Sequence, residues 1–240
     1  MATEKILPQH APMRQFRTAG GELVVGGTTL SQLAARVGQT PFFAYDRALL
    51  TQRVGELRKA LPPSVKLHYA MKANPHPELL KTFAGLGLSF ECVSRGECEH
   101  VMKVVPGIDP SRILFTPNFA PRSEYEWALE QGVHLTIDNL YALREWGDLF
   151  RDRDVLIRVD TGFGRGHHDH VRTAGVHSKF GVPLFEMDEV ERLVKRVGAR
   201  VVALHAHTGS GVFDVRNWKE VGHMLGGLAR RFPHARAIDL

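Results

Sequence analysis

The chain has 240 residues, of which 43% are hydrophobic and 24% charged, as in an ordinary soluble globular protein. That length accommodates one large domain, or one domain and a fragment of another. The formal net charge is +5, but the small basic clusters contain no interleaved aromatic residues, so a nucleic-acid partner is not expected.

Cysteine usage and the N-terminal sequence indicate a cytoplasmic compartment. Cys92 and Cys98 are too few for a disulfide framework, and their spacing matches no zinc-ligand pattern. Residues 1–16 lack the apolar core of a signal peptide, and no apolar run is long enough to cross a membrane. We therefore expect no membrane partner.

The first 60 or so residues are predicted to contain short strands and two helices. Strands are expected at 21–27 and 41–46, because both runs are apolar and bounded by turn residues. A helix is expected at 29–37, where apolar residues recur at helical spacing, and a longer one from 47 to 61, which Pro62 ends.

From Val65 onward, strand-like and helix-like stretches alternate with short loops, which is typical of βαβ units and a parallel sheet. Strand starts are expected near Val65, Leu88, Arg112, Val133, Asp154, Arg200 and Arg236. Helices are expected at 77–86, 96–105, 122–131, 140–150, 186–197 and 215–231.

The spacing of the strands favours a TIM-type (β/α)8 barrel. The first four intervals between strand starts are 21 to 24 residues, about one βα unit each. The sequence stops within the seventh strand, so we expect an incomplete barrel and a chain that is a piece of a longer protein. A complete, doubly wound open sheet is the alternative.

In a barrel, chemistry is expected at the carboxyl ends of the strands, and the first of these ends offers a lysine. Residues 65–77, VKLHYAMKANPHP, alternate as a strand and then break at Asn74 and Pro75, which leaves Lys72 at the strand end. Desolvation in a cavity would free this amine to form a Schiff base with an aldehyde cofactor. The alternative is a strand-end lysine that extends into solvent.

The sixth strand end, VVALHAHTGSG at 201–211, carries the second signal. Alternation places His205 and His207 on one face, and His207 can lie flat against a planar ring. The Gly-Ser-Gly turn can direct backbone N–H groups and the Ser210 hydroxyl at a phosphate. For His205, a structural role as a hydrogen-bonded core histidine is the alternative.

Two further strand ends offer Glu91 and Arg158. The alternatives are that Glu91 pairs with a nearby lysine or arginine and that Arg158 belongs to a surface ion pair. An insertion at 160–183, rich in glycine and histidine, is long enough to be functional. Its histidines do not match a zinc-binding pattern, so no metal is expected; they are His167, His168, His170 and His177.

Nine motifs in one order resemble the pyridoxal-phosphate-dependent decarboxylases of the alanine-racemase-like fold, known as fold type III. They are TPFFAYD, HYAMKAN, FECVSRGE, ILFTPNF, TIDN, IRVD, SKFG, HAHTGSG and AIDL. The resemblance covers residues 40–240 and includes diaminopimelate, ornithine and arginine decarboxylases. The segment GRGHHDHVRTAGVHSKFG is most similar to diaminopimelate decarboxylases.

The resemblance implies a site for pyridoxal 5'-phosphate. Lys72 matches the lysine that forms the Schiff base, His207 the histidine stacked on the cofactor ring, and Ser210 the serine near the phosphate. Glu91 and Arg158 match polar positions beside the cofactor, although many members of the family have aspartate at the position of Glu91. Lys72 and His207 are accordingly the expected catalytic residues.

The resemblance also implies an activity, a partner and a domain division. The expected reaction converts meso-diaminopimelate to L-lysine and carbon dioxide in lysine biosynthesis, in a cytoplasmic homodimer. Residues 1–46 would contribute strands to a second β-domain, and 47–240 would form the cofactor-binding barrel. The family's phosphate loop and its glutamate for the pyridine nitrogen would follow Leu240, so this piece alone is expected to be inactive.

Other functions stay open at this point. An ornithine- or arginine-type decarboxylase, or one associated with exosortase systems, would have the same cofactor residues. A pyridoxal-phosphate-binding protein without catalysis would also keep Lys72. A metal-dependent hydrolase built on His205 and His207 is the remaining hypothesis, which the absence of an accompanying carboxylate ligand set disfavours.

Overall fold

The computed structural model of the chain describes residues 15–162, 179–210, 212 and 214–240. The chain divides into two compact units, Met1–Lys66 and Leu67–Leu240. The domain boundary that the sequence predicts after residue 46 stays a prediction.

The first unit contains a small antiparallel sheet and two helices. Its strands and helices are β1 (Thr18–Ala19), β2 (Glu22–Val25), β3 (Thr28–Thr29), α1 (Leu30–Val37) and α2 (Arg47–Ala60). Helix α1 begins at a capping box, in which the Thr29 side chain and the Gln32 side chain each accept a backbone N–H of the other residue.

The strand expected at 41–46 is wrong. Residues 41–46 are all described, and none of them pairs with another strand of the described chain. Asp46 instead caps α2, where its carboxylate accepts the backbone N–H groups of Ala48 and Leu49. Aromatic content alone made this run resemble a strand, but a strand also needs a neighbour for its backbone hydrogen bonds.

The second unit alternates strands with helices. Its strands are β4 (His68–Ala70), β5 (Ser89–Cys92), β6 (Ile113–Phe115), β7 (His134–Ile137), β8 (Asp154–Asp160), β9 (Val182–Pro183), β10 (Arg200–His205) and β11 (Ala237–Asp239). Its helices are α3 (Pro77–Gly85), α4 (Arg95–Val104), α5 (Arg122–Gln131), α6 (Leu140–Glu145), α7 (Met187–Val197) and α8 (Val215–Ala229).

The order of these strands identifies the architecture. Seven strands pair in parallel in chain order, β4-β5-β6-β7-β8-β10-β11, and the short β9 pairs with β8. A doubly wound sheet would reverse its order at a switch point, and this order has no reversal. His68 on β4 also lies near enough to Asp239 on β11 to act on its charge. The prediction of an incomplete (β/α)8 barrel is therefore confirmed.

Burial follows from this arrangement, because a parallel sheet covered by helices excludes water from both faces. All three residues of β6 are buried, as are 155–160 in β8. Helix α7 contributes one apolar face at helical spacing, and its buried residues are Met187, Val190, Leu193, Val194 and Val197.

Gly181 holds the chain close to β8 and provides a test of this packing. Its φ of 80° is a left-handed value that favours glycine. An added Cβ would lie 2.8 Å from the backbone N of Asp160 and 3.0 Å from the carbonyl carbon of Val159. We expect Gly181→Ala to lower the free energy of unfolding by about 1–3 kcal/mol, because the backbone must leave its strained conformation or move.

Urea unfolding measures this change, and Gly226→Ala is the matched control. Gly226 lies inside α8, and a Cβ there would meet no atom within 4 Å. Alanine should leave stability unchanged or raise it by up to about 1 kcal/mol. Equal unfolding midpoints for Gly181→Ala and the unmodified protein would contradict the packing described here.

Candidate functional site

All five residues singled out from the sequence surround one cavity at the carboxyl ends of the strands. Lys72 follows β4, Glu91 belongs to β5, Arg158 belongs to β8, and His207 and Ser210 follow β10. The cavity has a volume of about 300 Å³. Its lining residues are Lys72, Glu91, Val93, Thr116, Asn118, Arg158, Phe180, His205, His207 and Ser210.

The surroundings of Lys72 differ from the expected ones in two respects. Strand β4 ends at Ala70, and Lys72 lies in a single 3-10 turn, Met71–Ala73, which the hydrogen bond from Asn74 N to Met71 O closes at 3.1 Å. Lys72 is also exposed rather than desolvated, because this turn lies beyond the last residue of an outer strand. Lys72 therefore lines the cavity as an exposed residue.

Arg158 is the cation inside the site, and it is 6% exposed. Its Nη1 donates to Asn118 Oδ1 at 2.5 Å, and its guanidinium carbon lies 4.9 Å from the centre of the Phe180 ring. Burial lowers the pKa of Arg158, while the carboxylates of Asp138, Glu91 and Asp160 act in the opposite direction. A guanidinium nevertheless stays charged. Because Arg158 is buried, the explanation as a surface ion pair is excluded.

Glu91 is oriented by Thr116, the residue that follows the neighbouring strand β6. Its Oε1 accepts the hydroxyl of Thr116 at 3.0 Å, and Thr116 Oγ1 also lies 3.4 Å from the carbonyl oxygen of Cys92. Glu91 is half-buried and contributes negative charge to Arg158 and to His207. The site therefore places one carboxylate and one guanidinium in the same wall.

His207 is neutral at physiological pH. Burial is the largest cause that lowers the pKa of His207 to about 4, and the positive charges of Lys72 and Arg158 lower it further. Glu91 raises it, but by less than the other causes lower it. The ring is therefore an uncharged, flat surface at the cavity wall.

The segment after β10 is held by a helix. Thr208 is buried, and its Oγ1 accepts a hydrogen bond from Asn217 Nδ2 on α8 at 2.9 Å. Ser210 is exposed and lines the cavity. Gly211, the last residue of the predicted Gly-Ser-Gly turn, lies outside the described residues, as do 163–178 with the four histidines for which no metal was expected.

Four residues of the cavity wall received no site role from the sequence: Val93, Thr116, Asn118 and Phe180. Asn118 follows the third strand and Phe180 lies in the SKFG motif, so their positions were the signal that could have identified them. From the sequence, His205 is expected only as a metal ligand or as a core histidine. The alternative that His205 is a hydrogen-bonded core histidine agrees with its surroundings, because the side chain is buried and its Nδ1 lies 2.7 Å from Asp239 Oδ2. The same residue also lines the cavity.

The described residues contain neither a candidate membrane span nor a candidate metal cluster. No helix there combines the length and apolar character that a membrane span needs. No group of three or more histidine, cysteine, aspartate or glutamate side chains in those ranges could hold a metal ion.

Comparisons with known proteins agree on one family. Residues 47–228 match the family model of the pyridoxal-dependent decarboxylase pyridoxal-binding domain. A diaminopimelate decarboxylase of Methanothermobacter thermautotrophicus is 30% identical over 91% of this chain and 51% of its own length. One from Actinosynnema pretiosum is 33% identical over 88% of this chain and 49% of its own length.

Solved structures give the same result. A crystal structure of diaminopimelate decarboxylase from Helicobacter pylori, complexed with L-lysine, has a TM-score of 0.73 and 25% identity over 83% of this chain and 52% of its own. A structure from Aquifex aeolicus has a TM-score of 0.76 and 26% identity over 93% of this chain and 53% of its own. This chain spans about half the length of the curated relatives it matches. The chain belongs to the pyridoxal-dependent decarboxylases, and it contains their pyridoxal-binding domain.

Proposed function

We propose that this chain is the cofactor-binding part of an amino-acid decarboxylase that converts meso-diaminopimelate to L-lysine and carbon dioxide. One observation carries the proposal: the five residues expected to serve pyridoxal phosphate surround a single cavity. The names of the curated relatives, most of them diaminopimelate decarboxylases, supply the substrate. We further propose that the whole protein is a cytoplasmic homodimer.

The residues present fit pyridoxal phosphate. A cavity of about 300 Å³ is at the lower end of the range for small-molecule sites. An amine at its rim, a buried guanidinium, a neutral imidazole and a hydroxyl in its wall match an aldehyde on a flat ring that carries anionic groups. When bound, this cofactor supplies a carbonyl that an amine can condense with and a ring that accepts the electron pair left by departing carbon dioxide.

Each of the chain's own residues then has a role in holding the cofactor. Lys72 is the amine that would hold the aldehyde, and its exposed position leaves it free to exchange with a substrate amine. Arg158 supplies a fixed positive charge, because Asn118 holds one edge of its guanidinium and Phe180 lies against it. Ser210 would donate its hydroxyl to the phosphate.

His207 would pack flat against the cofactor ring as a neutral imidazole. A protonated ring would place a third positive charge beside Lys72 and Arg158, and the low pKa of His207 shows how unfavourable that charge is here. We expect His207 to shield the ring from water rather than to transfer protons.

A second substrate class is supported by one comparison. An ornithine decarboxylase of Neurospora crassa is 34% identical over 63% of this chain and 30% of its own length. The cofactor residues do not separate the two substrates, because both reactions use the same cofactor chemistry. Measuring carbon dioxide release from each amino acid therefore distinguishes the two substrates.

The first prediction concerns Lys72. In the protein expressed from its complete gene, borohydride should fix a pyridoxyl group on Lys72, which mass spectrometry of peptides locates. Lys72→Ala should abolish the adduct and lower carbon dioxide release by at least about a hundredfold. Lys81→Ala is the control, because Lys81 is exposed, pairs with Glu78 on the same helix surface at 2.9 Å and does not line the cavity.

A panel of amino acids completes this test. Release of carbon dioxide from meso-diaminopimelate, but not from ornithine or arginine, is the expected result. Release from ornithine alone would reject the proposed substrate and keep the decarboxylase. An adduct at another lysine, or none, would reject the cofactor site.

The second prediction follows from the pKa of His207. In the unfolded chain His207 binds a proton near pH 6.5, whereas the folded protein binds it only near pH 4. Between these values the unfolded state holds the extra proton, so this residue makes the free energy of unfolding fall as the pH falls. In His207→Gln the dependence should be shallower by up to about 1.4 kcal/mol per pH unit in that window.

Urea unfolding at several pH values between 4 and 7, without cofactor, measures this slope. His223→Gln is the control, because His223 is exposed on α8 and does not line the cavity. Identical slopes for His207→Gln and the unmodified protein would show that the imidazole is not held neutral.

A further inference from the structure

His205 and Asp239 form a pair at the cavity wall that the proposed function does not yet use. His205 Nδ1 lies 2.7 Å from Asp239 Oδ2. The two residues stand opposite each other on the adjacent parallel strands β10 and β11, so the backbone ladder fixes their separation. His205 is only 4% exposed, and yet it lines the same cavity as Lys72.

Asp239 determines which nitrogen of His205 carries the proton. Burial raises the pKa of Asp239, but the hydrogen bond and charge of His205 outweigh it, and His68 adds to them, so the net shift is downward. The carboxylate is therefore ionised at neutral pH and can only accept. Nδ1 must carry the hydrogen, and in the neutral ring Nε2 keeps a lone pair.

A histidine in this state is suited to accept a proton. Its orientation is fixed by the carboxylate, and a positive charge that forms on the ring is stabilised by the ionised Asp239 at 2.7 Å. His207, two residues further along, has different surroundings, because burial and then the cations Lys72 and Arg158 lower its pKa. The strand end therefore presents one histidine suited to proton transfer and one that is not.

Resting on the proposed decarboxylase function, we propose that His205 accepts the proton that an amino-acid substrate must lose before its nitrogen can replace Lys72, and that Asp239 is its positioning residue. An amino acid enters as an ammonium ion, which has no lone pair with which to attack the carbon that Lys72 would hold. In the transfer, the N–H electron pair stays on the substrate nitrogen and the proton binds Nε2. The substrate nitrogen becomes neutral, and the imidazolium lies beside the Asp239 carboxylate.

The test measures how fast a bound amine replaces Lys72, apart from turnover. Cofactor-loaded protein from the complete gene is mixed rapidly with L-lysine, and the change in cofactor absorbance is followed. His205→Gln and Asp239→Asn should each slow this exchange at least about tenfold at pH 7. His223→Gln, on the exposed side of α8, should not change it.

The pH dependence separates proton transfer from a structural effect. In both variants only amine that has already lost its proton can react, so the rate should rise about tenfold per pH unit below the amine's pKa. The difference from the unmodified protein should disappear as the pH approaches that value. A slow rate that stays slow at high pH would overturn the proposal and assign the pair a structural role.

A second readout needs no cofactor. Nitrogen-15 NMR of the cofactor-free protein should show that the neutral ring of His205 carries its proton at Nδ1, and Asp239→Asn should weaken this preference. A neutral ring that carries its proton at Nε2 in the unmodified protein would overturn the proposal.

Failure of this inference is distinguishable from failure of the proposed function. If borohydride fixes the cofactor on Lys72 in all variants and their exchange rates are equal, only the role of His205 is rejected. If the unmodified protein forms no adduct at Lys72, the proposed function itself is rejected. Thermal unfolding of each variant identifies any that fail to fold, and Asp239→Glu, which keeps the carboxylate, should restore part of the exchange rate.

Discussion

The site depends on one buried positive charge. Arg158 is held inside the barrel by the Asn118 amide oxygen and the Phe180 ring, and three carboxylates act on it through space. Burying a guanidinium in this way is costly unless its hydrogen-bonding groups are satisfied and opposite charges are near. The arrangement therefore fixes the guanidinium in place before any ligand arrives, and its field reaches the neighbouring imidazole of His207.

Two histidines at one strand end differ in their chemistry because their surroundings differ. Burial, with the added field of Lys72 and Arg158, keeps His207 uncharged, whereas His205 has an ionised carboxylate as its hydrogen-bond partner. The residues have the same side chain and are separated by a single alanine, so burial and neighbouring charges make the difference. A flat neutral surface and a proton acceptor are thus obtained from one short sequence, HAH.

Much of the fold and the grouping of the site residues could be predicted from the sequence. Parallel strands at even spacing bring their carboxyl ends to one edge, so residues there had to be neighbours. The predictions that differ from the structure concern features that three-dimensional surroundings determine. The run 41–46 has strand composition without a partner strand, and the turn that carries Lys72 is set by a local hydrogen bond. The contact of Asp239 with His205 spans 34 residues, and the contact of Phe180 with Arg158 depends on side-chain direction. The alternation of apolar and polar residues along a strand does not predict such contacts.

The insertion after β8 is tied at both of its ends. The N–H of Gly162 donates to Asp160 Oδ1 at 2.9 Å, and on the return side Val182 and Pro183 pair with the end of β8. Because these anchors lie side by side on one strand, the entropic cost of closing the intervening segment grows only slowly with its length. Evolution can therefore lengthen, shorten or rewrite that segment while Phe180 stays against the guanidinium.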